Sequence, residues 1–131
     1  MKRFLFSLLL CLSAFTQSKA QSLVNPGEAI AERAFTWISQ AKGDSLLLHA
    51  TPKVKEQITA PIINSIFKQL EVQMGSFKSK SAWSNTAVDA FTIYHTDLHF
   101  NNQSIGLNIT IDKEEKIAGF FLVPATDEHK K

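Results

Sequence analysis

The clearest hydrophobic pattern in the chain is a strict alternation of apolar with small or polar residues between positions 105 and 111. The apolar members are Ile105, Leu107, Ile109 and Ile111. A period of two places successive side chains on opposite faces of a β-strand. The pattern therefore predicts a strand whose branched apolar side chains are buried, with Asn108 and Thr110 on the opposite face.

The same period of two runs through the second half of the chain and predicts four strands in all. The first carries Phe77 and Trp83 on one face, the second is a long strand over residues 86–100, the third contains the alternation, and the last covers residues 117–123. A turn is predicted at Asn101-Asn102, since asparagine tolerates left-handed backbone angles. Consecutive strands joined by short turns predict an antiparallel sheet.

Apolar residues recur at helical spacing in the first half of the chain, which predicts three helices. The first begins at Asn25-Pro26, where asparagine can cap and proline needs no amide partner, and it ends at Gly43. The second is short and carries Leu46, Leu47 and Leu48. After a turn or two around residues 54–58, the third helix runs from Pro61 until Gly75 stops it.

Helices followed by strands predict an α+β fold, with three N-terminal helices packed on one face of a four-stranded antiparallel sheet. A strongly twisted sheet wrapped in this way leaves a cone with an apolar pocket at its wide end. The single domain is predicted over residues 21–125, followed by a charged tail over residues 126–131.

The first twenty residues indicate where the protein goes. A basic start, Met1–Arg3, precedes a twelve-residue apolar run broken only by serines, and small residues stand at and before a cut between Ala20 and Gln21. This is the pattern of a secretory signal peptide, and the apolar run is too short to span a membrane. We therefore expect a secreted or periplasmic protein.

Removal of that segment changes the charge and the cysteine content of the chain. Three of the fourteen basic residues are lost with it, so eleven basic residues face twelve acidic ones. A domain of net charge −1 without a basic cluster argues against nucleic acid and against an anionic membrane surface as partners. Cys11 is lost too, and without cysteines the mature chain has no disulfides and no zinc–thiolate site.

Two segments resemble a small uncharacterised bacterial domain family. They are Phe67-Lys68-Gln69-Leu70 running to Met74-Gly75-Ser76-Phe77, and the strand from Lys116 to Pro124 with its isoleucine–alanine–glycine–phenylalanine core. The family is found alone or N-terminal to secreted α/β-hydrolases, and it resembles the nuclear transport factor 2-like, cystatin-like α+β group. The resemblance implies the fold of that group and covers residues 25–125. The chain contains no Gly-x-Ser-x-Gly, so the chemistry of a hydrolase partner is not implied.

The segment His95-Thr96-Asp97-Leu98-His99 is the sharpest candidate for chemistry. On a strand, His95, Asp97 and His99 point to one side, and two histidines at that spacing can share a metal. The simpler interpretation is that Tyr94, Leu98 and their neighbours face the core while the three polar residues form a solvated face. We adopt it and expect no tight metal site and no cofactor.

Acid–base catalysis is the second candidate. Enzymes of the wider group place Asp, His or Tyr inside the cone, and here Asp89, Asp97 and Tyr94 are available. A buried aspartate in an apolar cone would have a raised pKa and could act as a base. Tyr94 and Asp97 have opposite strand parity, however, and would not cooperate without a bulge. No catalytic residue is assigned.

Four aromatic residues could line a pocket for a small apolar or sugar-like ligand: Trp37, Phe67, Trp83 and Tyr94. The same spacing is also typical of core residues. The preferred hypothesis is a non-catalytic module that binds a small ligand or a protein. The alternative is a lyase- or isomerase-type enzyme that uses a carboxylate in the cone, and burial of Asp89 or Asp97 in a polar cavity would favour it.

The sheet face away from the helices could also bind a partner. Phe91 and Ile93 share the parity of the histidines, and either Phe120 or Phe121 must leave the core because they face opposite ways. An apolar strip bordered by polar groups is typical of an interaction surface. We expect a homodimer, or a different protein partner, on this open sheet face.

Overall fold

The computed structural model describes residues 25–126, and the predicted signal peptide, its cleavage site and residues 127–131 lie outside that range. The described chain forms four helices and five strands. The helices are α1 Pro26–Ser39, α2 Gly43–Leu48, α3 Pro52–Gln57 and α4 Ala60–Met74, and the strands are β1 Phe77–Lys80, β2 Ser84–Val88, β3 Phe91–Phe100, β4 Ser104–Asp112 and β5 Ile117–Pro124. The predicted α+β class, with helices against an antiparallel sheet, is confirmed.

The sheet is antiparallel, with the strand order β1-β3-β4-β5. β3 is its longest strand and pairs along its whole length with β4. At the opposite edge, its first half pairs with β2 and its last residues with β1. β5 therefore forms a free edge, except near Ile117, which exchanges backbone hydrogen bonds with His49 and Thr51.

The start of α1 and the end of α4 are formed by the residues that the sequence indicated. The Asn25 side chain accepts hydrogen bonds from the amides of Gly27 and Glu28, as the sequence predicted. Gly75 ends α4 at a φ of 94°, which glycine adopts without strain. Among residues 25–126, no helix is long and apolar enough to cross a membrane.

The number of helices was predicted wrongly, because one of them was taken for a turn. Residues 52–57 form α3, which starts with a proline in its first turn. The Thr51 side chain accepts a hydrogen bond from the amide of Val54 and caps the helix. Proline at the first helical position costs no hydrogen bond. The pair Thr51-Pro52 thus starts a helix here instead of only ending one.

The number of strands was also predicted wrongly. The long second strand is divided by a two-residue turn at Asp89-Ala90, and Val88 pairs with Phe91 across it. Asp89 has a φ of 55°, a left-handed angle that aspartate tolerates. The first predicted strand is shorter than expected, so Trp83 lies in the connection between β1 and β2.

The core lies between the helices and the face of the sheet that carries the alternation. Leu107, Ile109 and Ile111 are buried and Ile105 is half-buried, while Asn108 and Thr110 lie on the open face. The predicted orientation of this strand is confirmed. From β3, the buried side chains on the same face are Tyr94, Thr96, Leu98 and Phe100. The helices supply Ile30, Ala31, Ala34, Phe35, Ile38, Leu46, Val54, Ile63, Leu70 and Met74.

Candidate functional site

An apolar pocket of about 250 Å³ opens between α4 and the free edge of the sheet at β5. All ten lining side chains are apolar: Phe35, Ile38, Ile66, Phe67, Leu70, Leu98, Leu107, Phe120, Phe121 and Leu122. On its outer edge β5 has no strand partner beyond Ile117 within the described residues, and the pocket lies between this end of the sheet and α4. We call it the α4–β5 pocket.

One wall of the α4–β5 pocket is held by a cluster of aromatic rings. The ring centroids of Phe67 lie 6.0 Å from Phe35, 5.3 Å from Phe77 and 5.6 Å from Phe100. Edge-to-face and tilted arrangements at these distances are favourable for aromatic quadrupoles. Phe67 is therefore fixed from several sides, and this wall is pre-formed.

The four aromatic residues predicted for a ligand site do not converge. Phe67 lines the α4–β5 pocket, whereas the ring of Trp37 stacks on His49 at 4.8 Å. Trp83 lies beside the exposed face of α1, and its indole nitrogen donates a hydrogen bond to Glu32. Tyr94 is buried, and its hydroxyl donates to Oδ1 of Asn25 at 3.1 Å. Of the four, only Phe67 thus lines the α4–β5 pocket.

The two aspartates considered for acid–base chemistry lie outside the α4–β5 pocket. Asp89 is exposed in the turn between β2 and β3. Asp97 is only 3% exposed but lies on the face of β3 that points away from the helices. Within the described residues, no titratable side chain lines the pocket. The pocket offers no group that could move a proton.

Asp97 is the centre of a hydrogen-bonded network on the open sheet face. Its Oδ2 accepts from the Thr126 hydroxyl at 2.6 Å, and its Oδ1 accepts from the Thr126 amide at 3.1 Å. Nε2 of His95 donates to the same Oδ1 at 2.9 Å, and Nδ1 of that ring lies 2.6 Å from Oδ1 of Asn108. Gly106 leaves room for this ring, because a Cβ at that position would lie 2.7 Å from its Cε1.

This network lowers the pKa of Asp97. Burial alone would raise the pKa, but the hydrogen bonds from the Thr126 side chain and amide, the hydrogen bond from His95 and the charge of His95 outweigh it. The carboxylate is ionised at neutral pH, and both its oxygens already accept hydrogen bonds. Asp97 is therefore arranged to hold neighbouring groups in place and is a weak base.

The prediction that Asp97 lies on a solvated face was wrong. The chain turns back over the open face after β5, so Ala125 is fully buried and Thr126 covers the carboxylate. His95 and His99 remain half-buried, and Nδ1 of His99 lies 2.8 Å from the Ser104 hydroxyl. Over residues 25–126, no three His, Cys, Asp or Glu side chains come together as a metal site would require.

The rest of the open sheet face carries exposed apolar side chains. Phe121 is 62% exposed, and Val88 and Phe91 are exposed as well. Phe120 pairs with the buried Ile109 and Phe121 with Asn108 on the open face, so their strand parity is opposite as predicted, although Phe121 at the sheet edge also lines the α4–β5 pocket. The homodimer on this face stays a prediction.

A sequence model of the family described as "Protein of unknown function (DUF3887)" matches residues 31–120. The chain belongs to this family. The match extends from α1 to the middle of β5 and includes most of the residues that line the α4–β5 pocket. The resemblance to an uncharacterised domain family is thereby confirmed.

The DUF3887 domain is also similar to part of a larger enzyme. It is 26% identical over 101 residues to Esterase EstD from Thermotoga maritima. The match covers 75% of this chain but 24% of the esterase, so the chain spans about a quarter of that relative's length. No solved structure matches the chain.

Thr126 is the residue of the DUF3887 domain whose contacts sequence reasoning missed. It was assigned to the charged tail, yet it donates twice to Asp97, 29 positions earlier. No local pattern marks such a contact, because it depends on where β5 ends relative to β3. The buried Ala125 beside it, a small apolar residue just before the charged tail, is the one signal that could have indicated it.

Proposed function

We propose that this DUF3887 domain is an exported, non-catalytic binding module that holds a small apolar ligand in the α4–β5 pocket. The observation that carries the proposal is the composition of the lining, which consists of ten apolar side chains with no polar or titratable one among them. Such a pocket binds by exclusion of water and has no means of acid–base catalysis.

The size of the pocket limits the ligand. Pockets for drug-sized molecules measure about 300–1,000 Å³, and an apolar cavity of about 150 Å³ binds benzene. A volume of about 250 Å³ lies between the two and fits one aromatic ring or a short alkyl or acyl chain. Because Phe121 and Leu122 at the open end are exposed, a polar head group could remain in water.

This proposal is favoured over the lyase- or isomerase-type enzyme because the cone contains apolar side chains where such an enzyme needs a carboxylate. The esterase relative supports the same ligand class, since an ester carries an acyl or alkyl group. Its catalytic activity belongs to a protein about four times as long as the matched part and is not proposed for this domain. The antiparallel sheet with helices against one face also supports membership in the nuclear transport factor 2-like group, which we propose for the fold.

The substitution Leu122→Trp should close the pocket. Leu122 lines the open end and is itself exposed, so a larger ring can enter the pocket without displacing the core. We expect n-hexanol and benzene to bind the wild-type domain and to shift the methyl NMR signals of Ile66 and Leu70. We expect affinity to fall by at least about tenfold in Leu122→Trp, which corresponds to about 1.4 kcal/mol.

Leu48→Trp is the matched control, because Leu48 is 71% exposed and does not line the pocket. It introduces the same ring and should leave binding unchanged. Equal affinity in wild type and Leu122→Trp would contradict the proposal. So would ligand-induced shifts confined to methyl groups outside the lining.

The proposed export can be tested by determining the N-terminus of the mature protein. The basic start, the apolar run and the small residues before Gln21 support cleavage after Ala20. Mass spectrometry of the protein recovered from the periplasm or medium should show a mature chain that begins at Gln21. An intact Met1 on exported protein, or an acyl group on Cys11, would exclude this processing.

A further inference from the structure

A second groove, distinct from the α4–β5 pocket, runs along the exposed face of α1 beside Trp83. It has a volume of about 370 Å³ and is lined by Glu28, Ala29, Glu32, Arg33 and Trp83. None of these residues lines the α4–β5 pocket. We call it the tryptophan groove.

Trp83 is held in a fixed position at this groove. Its indole N–H donates to Oε1 of Glu32 at 2.8 Å, and the ammonium of Lys80 lies 5.2 Å from its ring centroid. Lys80 also forms an ion pair of 2.7 Å with Glu32. Burial would raise the pKa of Glu32, but the hydrogen bonds from Lys80 and Trp83 outweigh this effect and lower it. The carboxylate is therefore charged and accepts hydrogen bonds from both residues. The indole is thus a rigid aromatic wall that is only partly covered by the protein.

The polar groups around the indole include both donors and acceptors. The Glu28 carboxylate and the Arg33 guanidinium form no hydrogen bond or ion pair with any other side chain in the part of the chain that the structure describes. A carboxylate only accepts hydrogen bonds and a guanidinium only donates them. Ala29 also lines the groove, and its small side chain leaves room above the helix.

The balance of charge selects the class of ligand. An anion in the groove would meet Glu28 and Glu32, and a cation would meet Arg33 and would compete with Lys80 for Glu32, so either would face like charges. A neutral molecule with several hydroxyl groups can use both kinds of partner, since each hydroxyl donates and accepts. An apolar face on the same molecule would cover the indole.

We propose that the tryptophan groove binds a neutral sugar, which stacks one face of its ring on Trp83 and shares its hydroxyls between Glu28 and Arg33. This site is separate from the apolar pocket of the proposed function. Loss of sugar binding at the groove and loss of apolar-ligand binding in the α4–β5 pocket can therefore be observed independently.

The two tryptophans of the chain make the test specific, because each gives one indole N–H signal in a ¹H–¹⁵N NMR spectrum. Titration with cellobiose should move the Trp83 signal in a saturable way in the millimolar range and leave the Trp37 signal in place. Trp83→Phe assigns the signal, and Trp37→Phe, the same change at the ring stacked on His49, should bind cellobiose as the wild type does.

Arg33→Gln tests the polar half of the site without risk to the fold, because Arg33 is exposed and has no partner side chain within residues 25–126. We expect it to weaken cellobiose binding by at least about fivefold, which corresponds to about 1 kcal/mol. Glucuronate and glucosamine, which carry opposite charges, should bind more weakly than cellobiose. No shift of the Trp83 signal, equal shifts of both indoles, or tighter binding of either charged sugar would overturn the proposal.

Discussion

Ile109→Ala should lower the free energy of unfolding by about 2–5 kcal/mol, as expected for a large-to-small change at a fully buried site. Ile109 is 0% exposed and lies in the middle of β4, between Tyr94 on β3 and Phe120 on β5. Both neighbouring strands and the covering helices fix its surroundings, so the cavity left by the deleted atoms cannot collapse completely. Urea unfolding with linear extrapolation gives the difference directly.

Val72→Ala is the control for this prediction. Val72 is 81% exposed on α4, so the loss of its methyl groups removes little buried surface and should change stability by less than about 0.5 kcal/mol. A cost below about 1 kcal/mol for Ile109→Ala would mean that this face of β4 is not packed as described. Ile109 pairs with Phe120, which lines the α4–β5 pocket. Ile109→Ala should therefore also weaken ligand binding in that pocket.

The parts of the fold that could be predicted from sequence are those that local chemistry decides. The alternation from Ile105 to Ile111 identified its buried face, since a period of two leaves only two choices of face. The cap at Asn25 and the stop at Gly75 were also predicted correctly, because each depends on one residue and its own backbone. These signals require no knowledge of distant contacts.

The division of the long strand and the helix at α3 were missed for a different reason. Asp89-Ala90 contains no glycine or asparagine, so the turn there has a weak sequence signal. Thr51-Pro52 is compatible with both the end of one helix and the start of another. Whether the strand turns at Asp89-Ala90, and whether a helix starts at Pro52, depends on contacts with distant parts of the chain. A local sequence pattern does not contain that information.

The candidate site was predictable only in its composition. Phe67 lines the α4–β5 pocket, but its convergence with Phe120 and Leu122 depends on how α4 lies against the free edge of β5. Strand parity predicted that Asp97 faces away from the helices, and it does. Parity could not show that residues after β5 would cover it.

The second large effect is expected at Asp97. Asp97→Ala removes the acceptor of three hydrogen bonds, two from Thr126 and one from His95, at a site that is 3% exposed. Hydrogen bonds to charged groups contribute about 1.5–3 kcal/mol. Thr126 is exposed and His95 is half-buried, so their freed donors can reach water and offset part of the loss. We expect a loss of about 2–3 kcal/mol at pH 7. Glu56→Gln, which removes an exposed carboxylate on α3, should have almost no effect.

Thr126→Val and Thr126→Ser separate the hydrogen bond of the Thr126 hydroxyl from that of its backbone amide, which both variants keep. Valine keeps the shape of threonine but removes the donor to Oδ2, so it should cost about 1 kcal/mol or more. Serine keeps the donor and should lie close to the wild type. If both variants are equally stable, the hydroxyl does not hold the carboxylate.

The pH dependence gives the decisive measurement. A folded-state pKa below that of the unfolded chain means that ionised Asp97 stabilises the fold above the unfolded value, about pH 4, and that this stability is lost as the pH falls through the lower folded value. The stability difference between wild type and Asp97→Ala should therefore be largest near neutral pH and shrink as the pH is lowered below about 4. Urea unfolding of both proteins at stepwise lower pH measures that difference. A difference that stays constant from neutral to acid pH would show that the side chain acts by filling space, and the ionic role assigned to the network would be wrong.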